Sequence, residues 1–580
     1  MTHEASRRWD QETMLVVWLA AFVSLISLVY CFRHNELLLY GDAVAHMGIA
    51  RRVFDSRTPG LLQLGTVWLP LPHLLMIPFV LSISMWQTGV GGSIPSAVAF
   101  VFGAVGIFRL VREALSSGGD AGPAARLSAW GAALIYLANP NLLYLQSTAM
   151  TESLYLALFV WAVVYFAEFV REASGRSLVK CGYCVAAACL TRYDGWFLAA
   201  VMGVAGFAVV WRMKSRVPGI WPSFRTFAIL AVSIPILWVA YNAMVYRNPL
   251  AFENGPYSAK AIERNTLTAG APAHPGTHNL AMAAAYFLES AELNMTENPW
   301  HWLWLPLLVA ATALILMRKR SLWPLLLLWT PLPFYMLSIA YAGVPIFLPV
   351  WFPHTIYNAR YGLQLLPAFA VLIASAACLR TAFLRSSRTK LVAASLLAVF
   401  LAASYAGVWR TQPICFREAW INSRTRIALE TELAKYLELM PPNTGILIYL
   451  GDHVGAMQRA GIPLRRAIYE GNHRVWKQPS DPDGLWERAL ANPAKYADYV
   501  IATAGDPVAR QVNQRQLTAL AVIHVLGQPQ AVVYRTHPEA SAGSQPSKYP
   551  GGRRASIPGV TSCRRSAGFA MIKSPQLPRE

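Results

Sequence analysis

Asp42 and His46, in the stretch Tyr40-Gly41-Asp42-Ala43-Val44-Ala45-His46, stand one helical turn apart and would share a face of a helix. A carboxylate held there can take the proton of a hydroxyl as that hydroxyl attacks a sugar carbon, which is general-base chemistry. Aspartate is also a favoured helix N-cap, so residue type and spacing leave both roles open. Glu152, in Met150-Thr151-Glu152-Ser153, opens an apolar run. A helix dipole attracts an acid to such a place, and a second acid near the first could equally orient an acceptor, bind a metal or raise the first acid's pKa.

The cations point to an anion. Arg360 lies with Tyr361 in Tyr357-Asn358-Ala359-Arg360-Tyr361, beside an outer loop where the positive-inside rule calls for no cation. A planar guanidinium suits a phosphate at headgroup depth; the alternative is snorkelling against a structural carboxylate. Arg192 is a second phosphate candidate, with Asp194 two residues on as a partner for it or for Glu152. The turn Phe252-Glu253-Asn254-Gly255-Pro256-Tyr257, followed by Lys260, offers rings and polar groups for a sugar, or else simply covers the outer face. His274, His278, His301 and His354 have no metal-ligand spacing, so no dedicated metal site is expected.

The elements that position these residues are membrane helices. The chain has 580 residues, is 55% hydrophobic and has a mean hydropathy of +0.36, more than a soluble core requires. A net charge of +20 would point to nucleic acid in a soluble chain. Here the basic residues sit in short loops beside apolar runs, where membrane orientation explains them, so membrane lipids and not nucleic acid are the expected surroundings. Arg7 and Arg8 precede the first run, Met14 to Phe32, and no cleavage site follows it, which predicts an uncleaved span with a cytoplasmic N-terminus. Val67 to Met85 contains Pro70, Pro72 and Pro78 and is expected to be a membrane-embedded or interfacial segment on the outer side that does not cross.

Further spans are expected at 93–111, 126–144, 154–170, 178–190, 196–211, 227–246, 300–318, 322–341, 361–379 and 391–408, about eleven in all. Basic residues such as Arg112, Arg171, Lys214 and Arg318-Lys319-Arg320 fall between alternate spans. That alternation puts Asp42, Glu152, Arg192, Arg360 and a long loop, 247–299, on the outer side. Of seven cysteines, Cys181 and Cys184 read as small packing residues at the start of a span, and no disulfide framework is implied.

After Arg410 the pattern changes. Thr425 to Met440 reads as an amphipathic helix, and Ile446 to Leu450 and Tyr499 to Thr503 as strands. The expectation is an all-α polytopic membrane domain at 1–410, a small extracytoplasmic α/β domain at 411–538, and a disordered basic tail at 539–580. No internal repeat of the kind many transporters carry is found, and the acids sit at span ends, not mid-span as in a transporter or lipid flippase.

Several of these motifs resemble the C-type glycosyltransferase (GT-C) superfamily, which includes protein mannosyltransferases, aminoarabinose transferases and oligosaccharyltransferases. The likeness is carried by Gly41-Asp42 with the helix pattern through Arg52, by Trp68-Leu69-Pro70-Leu71-Pro72-His73, by Thr151-Glu152-Ser153-Leu154-Tyr155, and by Arg360-Tyr361 with Pro367. The resemblance implies a bacterial-type inner-membrane enzyme of the cell envelope. Its donor would be a polyprenyl-phosphate sugar and its acceptor a glycan, lipid or protein on the periplasmic side. It implies Asp42 as catalytic base, Glu152 as second acid and Arg360 as phosphate ligand; from the residues themselves, His46, Tyr361, Arg192, Tyr257 and Lys260 are the further candidates for binding substrate. Two departures, Ala43 where many relatives have an acid and Glu152 where many have Asp, leave a divalent cation open as cofactor.

Overall fold

Proline and small residues decide how the apolar runs become helices. The structure, a computed structural model, describes residues 10–116, 121–214, 217, 219–261, 273–381, 387–473 and 483–537. Among these residues nine helices are long and apolar enough to cross a membrane, and the protein is an integral membrane protein. On the first, Gln11–Arg33, Val16, Ala20 and Ser24 face inward while Leu15, Trp18 and Phe22 stay exposed. In lipid such a face needs no burial, and helices associate through close packing. Gly103 shows the requirement: a Cβ there would lie 2.3 Å from the Tyr136 hydroxyl, so helices Val90–Leu115 and Pro123–Leu137 meet more closely than another residue would allow. The span Ala359–Leu379, which carries Arg360, is the most enclosed of the nine.

Four expectations change. The span at 126–144 is two helices, Pro123–Leu137 and Pro140–Gln146, because Pro140 has no N–H and keeps Asn139 out of the helical region. Asn139 instead caps the second helix, accepting from Leu142 N at 3.0 Å. The span at 178–190 is a helix of 15 residues, Gly175–Cys189. The outer loop 247–299 contains a further helix, Leu280–Met295, whose Glu289, Glu292 and Asn294 broke the apolar pattern. The helix expected from Thr425 begins at Ile414 and runs to Leu439. Between Val67 and Met85, in contrast, the chain forms the short helix Leu71–Val80, in keeping with an embedded segment.

The C-terminal part is α/β. Its strands are β1 (Ile446–Ile448), β2 (Ala467–Ile468), β3 (Tyr499–Thr503), β4 (Thr518–Ile523) and β5 (Ala531–Arg535), in the order β2-β1-β3-β5-β4. β1 is parallel to β2 and β3, with Ile446 opposite Ala467 and Tyr499, and β5 runs antiparallel to β3 and β4. All three β1 residues are buried, as expected for a parallel strand covered on both faces.

The boundary expected at 410/411 falls just before a break in the helices, between Ser387–Thr411 and Ile414–Leu439. Yet residues up to His537 form one compact unit with the membrane helices. The expected tail, 539–580, lies outside the described residues.

Buried polar contacts make this union. Tyr469 meets Ser56 and Gln63 through its hydroxyl at 2.7 and 2.9 Å. Asp55, 2% exposed, accepts from Leu464 N at 3.0 Å and from Arg51 Nε at 2.8 Å, while Arg51 also donates to the Val80 carbonyl. Replacing Asp55 would strand the buried Arg51 charge. Asp55→Ala should therefore cost about 3 kcal/mol and loosen the C-terminal α/β part, read as a lower thermal midpoint and faster limited proteolysis of residues beyond Arg410.

Candidate active site

Asp42 is the second residue of the helix Gly41–Arg52 and does not cap it; the N-cap is Tyr40, which makes no side-chain cap bond. The Asp42 carboxylate instead accepts from Arg360 Nη2 at 2.7 Å. The turn before it is held by Arg426, which donates to the Leu38 and Leu39 carbonyls at 3.0 and 2.9 Å, and by Tyr40, whose hydroxyl donates to the Cys415 carbonyl.

Arg360 stands at the start of a 3-10 helix, Ala359–Leu365, that leads into Leu366–Thr381. Asn358 before it adopts a left-handed conformation, φ 58°, which asparagine tolerates better than most residues. The Ala359 carbonyl is gripped by Ser290 and Asn294 at 2.8 and 2.7 Å, and a Cβ on Gly362 would lie 2.4 Å from the Ser290 backbone. The unexpected helix Leu280–Met295 thus serves as the backing plate for Arg360.

Each nitrogen of that guanidinium meets a different carboxylate. Nε donates to Glu152 at 3.2 Å, Nη1 to Glu418 at 2.9 Å and Nη2 to Asp42 at 2.7 Å. Glu152, fully buried at the N-terminus of Glu152–Glu172, uses the same oxygen to accept from Arg192 Nη1 at 3.2 Å. Arg192 also pairs with Asp194 and contacts Tyr335, whose hydroxyl donates to Asp194 at 2.8 Å. Both guanidinium groups stack on Tyr361, at 5.2 Å from Arg192 and 5.0 Å from Arg360. The two cations are therefore spaced by a shared carboxylate and a shared ring.

A cavity of about 200 Å³ opens on this network. Asp42, Tyr357 and Arg360 line it from the membrane part, and Glu418, Asn422 and Arg426 from Ile414–Leu439. Asp42 keeps 39% of its side chain exposed, against 7% for Arg360, 1% for Glu418 and none for Glu152. Of the three acids on Arg360, Asp42 alone is open enough to meet a substrate.

Other expected site residues lie apart from the cavity. His46 is buried behind Asp42, with Nδ1 2.9 Å from His73 Nε2 and its ring against Trp68. Burial, aided by the charges of Arg192 and Arg360, pushes its pKa down to about 3, so the imidazole is neutral. Tyr257 meets the Tyr449 hydroxyl at 3.0 Å, Lys260 pairs with Glu253, and neither lines the cavity. Glu418 escaped the sequence reading; its one sign is a charge at a core-facing position of the helix, one turn beyond Ile414.

Asp42, Glu152 and Glu418 converge on the Arg360 guanidinium, and among the described residues no three His, Cys, Asp or Glu side chains are grouped to hold a metal ion.

The helix arrangement and the C-terminal α/β part make a polytopic membrane protein of GT-C-like fold. Among solved structures it is similar to ArnT from Cupriavidus metallidurans bound to undecaprenyl phosphate, with TM-score 0.52 and 15% identity over 92% of this chain and 99% of that one. Two structures of the Archaeoglobus fulgidus oligosaccharyltransferase overlap more loosely, both with TM-score 0.43 and 13% identity. The apo form matches over 86% of this chain and 70% of that one, and AglB with an inhibitory peptide and a dolichol-phosphate over 89% and 73%. No family model and no curated protein sequence matches the chain.

The neutral, buried His46 has a pH signature. The unfolded chain binds a proton at His46 below about pH 6.5, whereas the folded protein does so only near 3, so acidification across that window favours unfolding. His46→Gln should flatten the acid limb of a stability-pH curve by up to about 1.4 kcal/mol per pH unit, measured by thermal unfolding between pH 6.5 and 5.

Proposed function

We propose that this protein is a glycosyltransferase that moves a sugar from a polyprenyl-phosphate donor to an acceptor hydroxyl at the outer face of the membrane. The observation that carries the reading is the Asp42–Arg360 pair at 2.7 Å on the wall of the cavity: a base and a phosphate ligand side by side. Similarity in fold to ArnT, whose structure holds undecaprenyl phosphate, supports the same class of donor. The charge rule supports a face outside the cytoplasm, and the GT-C resemblance implies the periplasmic side of a bacterial-type inner membrane. Acids gathered at span ends favour surface chemistry over a transporter or lipid flippase.

In this reading Asp42 takes the acceptor hydroxyl proton as the oxygen attacks the anomeric carbon. The bond from that carbon to the phosphate oxygen breaks, and its electron pair leaves with the lipid phosphate. A single displacement inverts the configuration. Phosphate is a leaving group that needs charge stabilisation more than protonation, which Arg360 supplies. The cluster holds two more carboxylates than guanidinium groups, so an incoming phosphate must displace one of them. Asp42, the exposed one, yields Nη2 to the donor and is released as a base in the same event. Glu152 orients Arg360 and Arg192 from behind, with Tyr361 beneath both, and Arg192 acts through Glu152 without touching the phosphate. The sugar, hexose or pentose, and the acceptor, whether glycan, lipid or protein, are set by the cavity and its outer wall.

The test is turnover of radiolabelled polyprenyl-phosphate sugars by the protein in lipid nanodiscs. Asp42→Asn should lower kcat by about 10²–10⁴-fold and Arg360→Ala by about 10²–10³-fold, with both variants folded. Full turnover in Asp42→Asn would remove the catalytic assignment, and no donor turnover by wild type across a broad panel would sink the transferase reading. With arginine in the place of a metal, chelation by EDTA should leave the rate unchanged; a loss restored by Mg²⁺ or Mn²⁺ would count against that part.

A further inference from the structure

We propose that Glu418, supplied by the first helix after the membrane spans, is the positioning residue that aims the Arg360 guanidinium at the donor phosphate. This rests on the transferase reading and gives the outer part of the chain a share in the reaction.

Glu418 is fully buried and accepts three hydrogen bonds from three consecutive residues. Asn358 N and Ala359 N reach it at 2.9 and 3.0 Å, and Arg360 Nη1 at 2.9 Å. The first two are N–H groups at the start of the 3-10 helix, which carry partial positive charge and have no partner within that helix. Glu418 is thus an N-terminal cap supplied by a distant element, and the residue it caps is the left-handed Asn358. A neutral acceptor could take the backbone N–H groups. Holding a guanidinium with the same group calls for an anion.

The carboxylate is itself held in place. Cys415 N donates to Asn141 at 3.0 Å, the Cys415 carbonyl accepts from Tyr40 at 2.8 Å, and Arg417 pairs with Glu297. The first turn of Ile414–Leu439 is therefore fastened to Pro140–Gln146, to the residue preceding the acid-bearing helix, and to the chain just after Leu280–Met295.

This anchoring decides which edge of Arg360 faces the donor. A guanidinium has five N–H donors in a fixed plane. Glu152 and Glu418, nearly inaccessible, hold Nε and Nη1, leaving Nη2 opposite the exposed Asp42. A phosphate in the cavity can approach only along that third edge. With Glu418 neutralised, the planar group is free to tilt, and the start of its helix keeps two N–H groups with a weakened partner.

Simple electrostatics predicts the opposite sign, which makes the proposal testable. If Glu418 acted only through its charge, neutralising it would favour an anionic ligand. If it positions Arg360, neutralising it weakens binding, and only while Arg360 is present. The experiment measures undecaprenyl phosphate binding to the full chain in nanodiscs for wild type, Glu418→Gln, Arg360→Ala and the double variant. Positioning predicts about a tenfold weaker Kd for Glu418→Gln in the wild-type background and no further loss in the Arg360→Ala background. Glu418→Asp, which keeps the charge on a shorter arm, should fall between wild type and Glu418→Gln.

Equal or tighter binding by Glu418→Gln overturns the proposal. So does a tenfold loss that persists without Arg360, the mark of a general structural defect. Absence of binding by wild type overturns the transferase reading together with this one, whereas wild-type binding with an indifferent Glu418 overturns this one alone.

Discussion

A single buried guanidinium organises this structure. Arg360 lies at the top of the most enclosed span, where an uncompensated charge would be very costly, and each of its nitrogens is met by an acid from a different part of the chain. Asp42 comes from the helix after the first span, Glu152 from the start of a central span and Glu418 from the helix after the last. Desolvation makes such a set costly to divide: removing one member leaves the charges it paired with buried and uncompensated. The fold must bring the three elements together for any one of them to be satisfied.

That constraint explains features that look incidental along the chain. The 3-10 start of the Arg360 span, the left-handed Asn358 and the close approach at Gly362 serve to present a guanidinium at the end of a helix. Leu280–Met295 takes up the Ala359 carbonyl that this geometry leaves open. The C-terminal α/β part is joined to the membrane helices through Asp55, Tyr469 and the first turn of Ile414–Leu439, and this union carries Glu418 into the cluster. Stability and placement of the site are the same set of contacts.

The surplus of acids over cations gives the cluster a direction. Left alone, Asp42 is the least buried member and the one an incoming anion can replace. In the proposed reaction, exchange of one anion for another on the same nitrogen would let ligand binding and release of a base be one event. A neutral, buried His46 behind Asp42 fits such a site, since it adds no further positive charge as the pH falls through the range where an ordinary histidine titrates.

Much of this was legible in the sequence because local rules govern it. Hydropathy and the alternation of basic loops located the spans and placed Asp42, Glu152, Arg192 and Arg360 on one side, since both signals depend only on what each segment contacts. Asn139-Pro140 and the helix Leu280–Met295 were misread where a proline or a few acids outweighed apolar content over a short window. What Asp42 does was undecidable from spacing, because an N-cap and a base have the same residue type at the same place. The tertiary structure set the capping role aside, with Tyr40 as the N-cap and Asp42 paired to Arg360 at 2.7 Å. It also set Tyr257 and Lys260 apart from the cavity and brought in Glu418, 58 residues from its partner. The sequence by itself determined that the chain is a membrane protein, most of its spans, and the acids and arginines at their ends, since these follow from each segment's own solvent. Only the tertiary structure decided which acids share one cation and which of them stays open, since a buried charge is satisfied by neighbours in space.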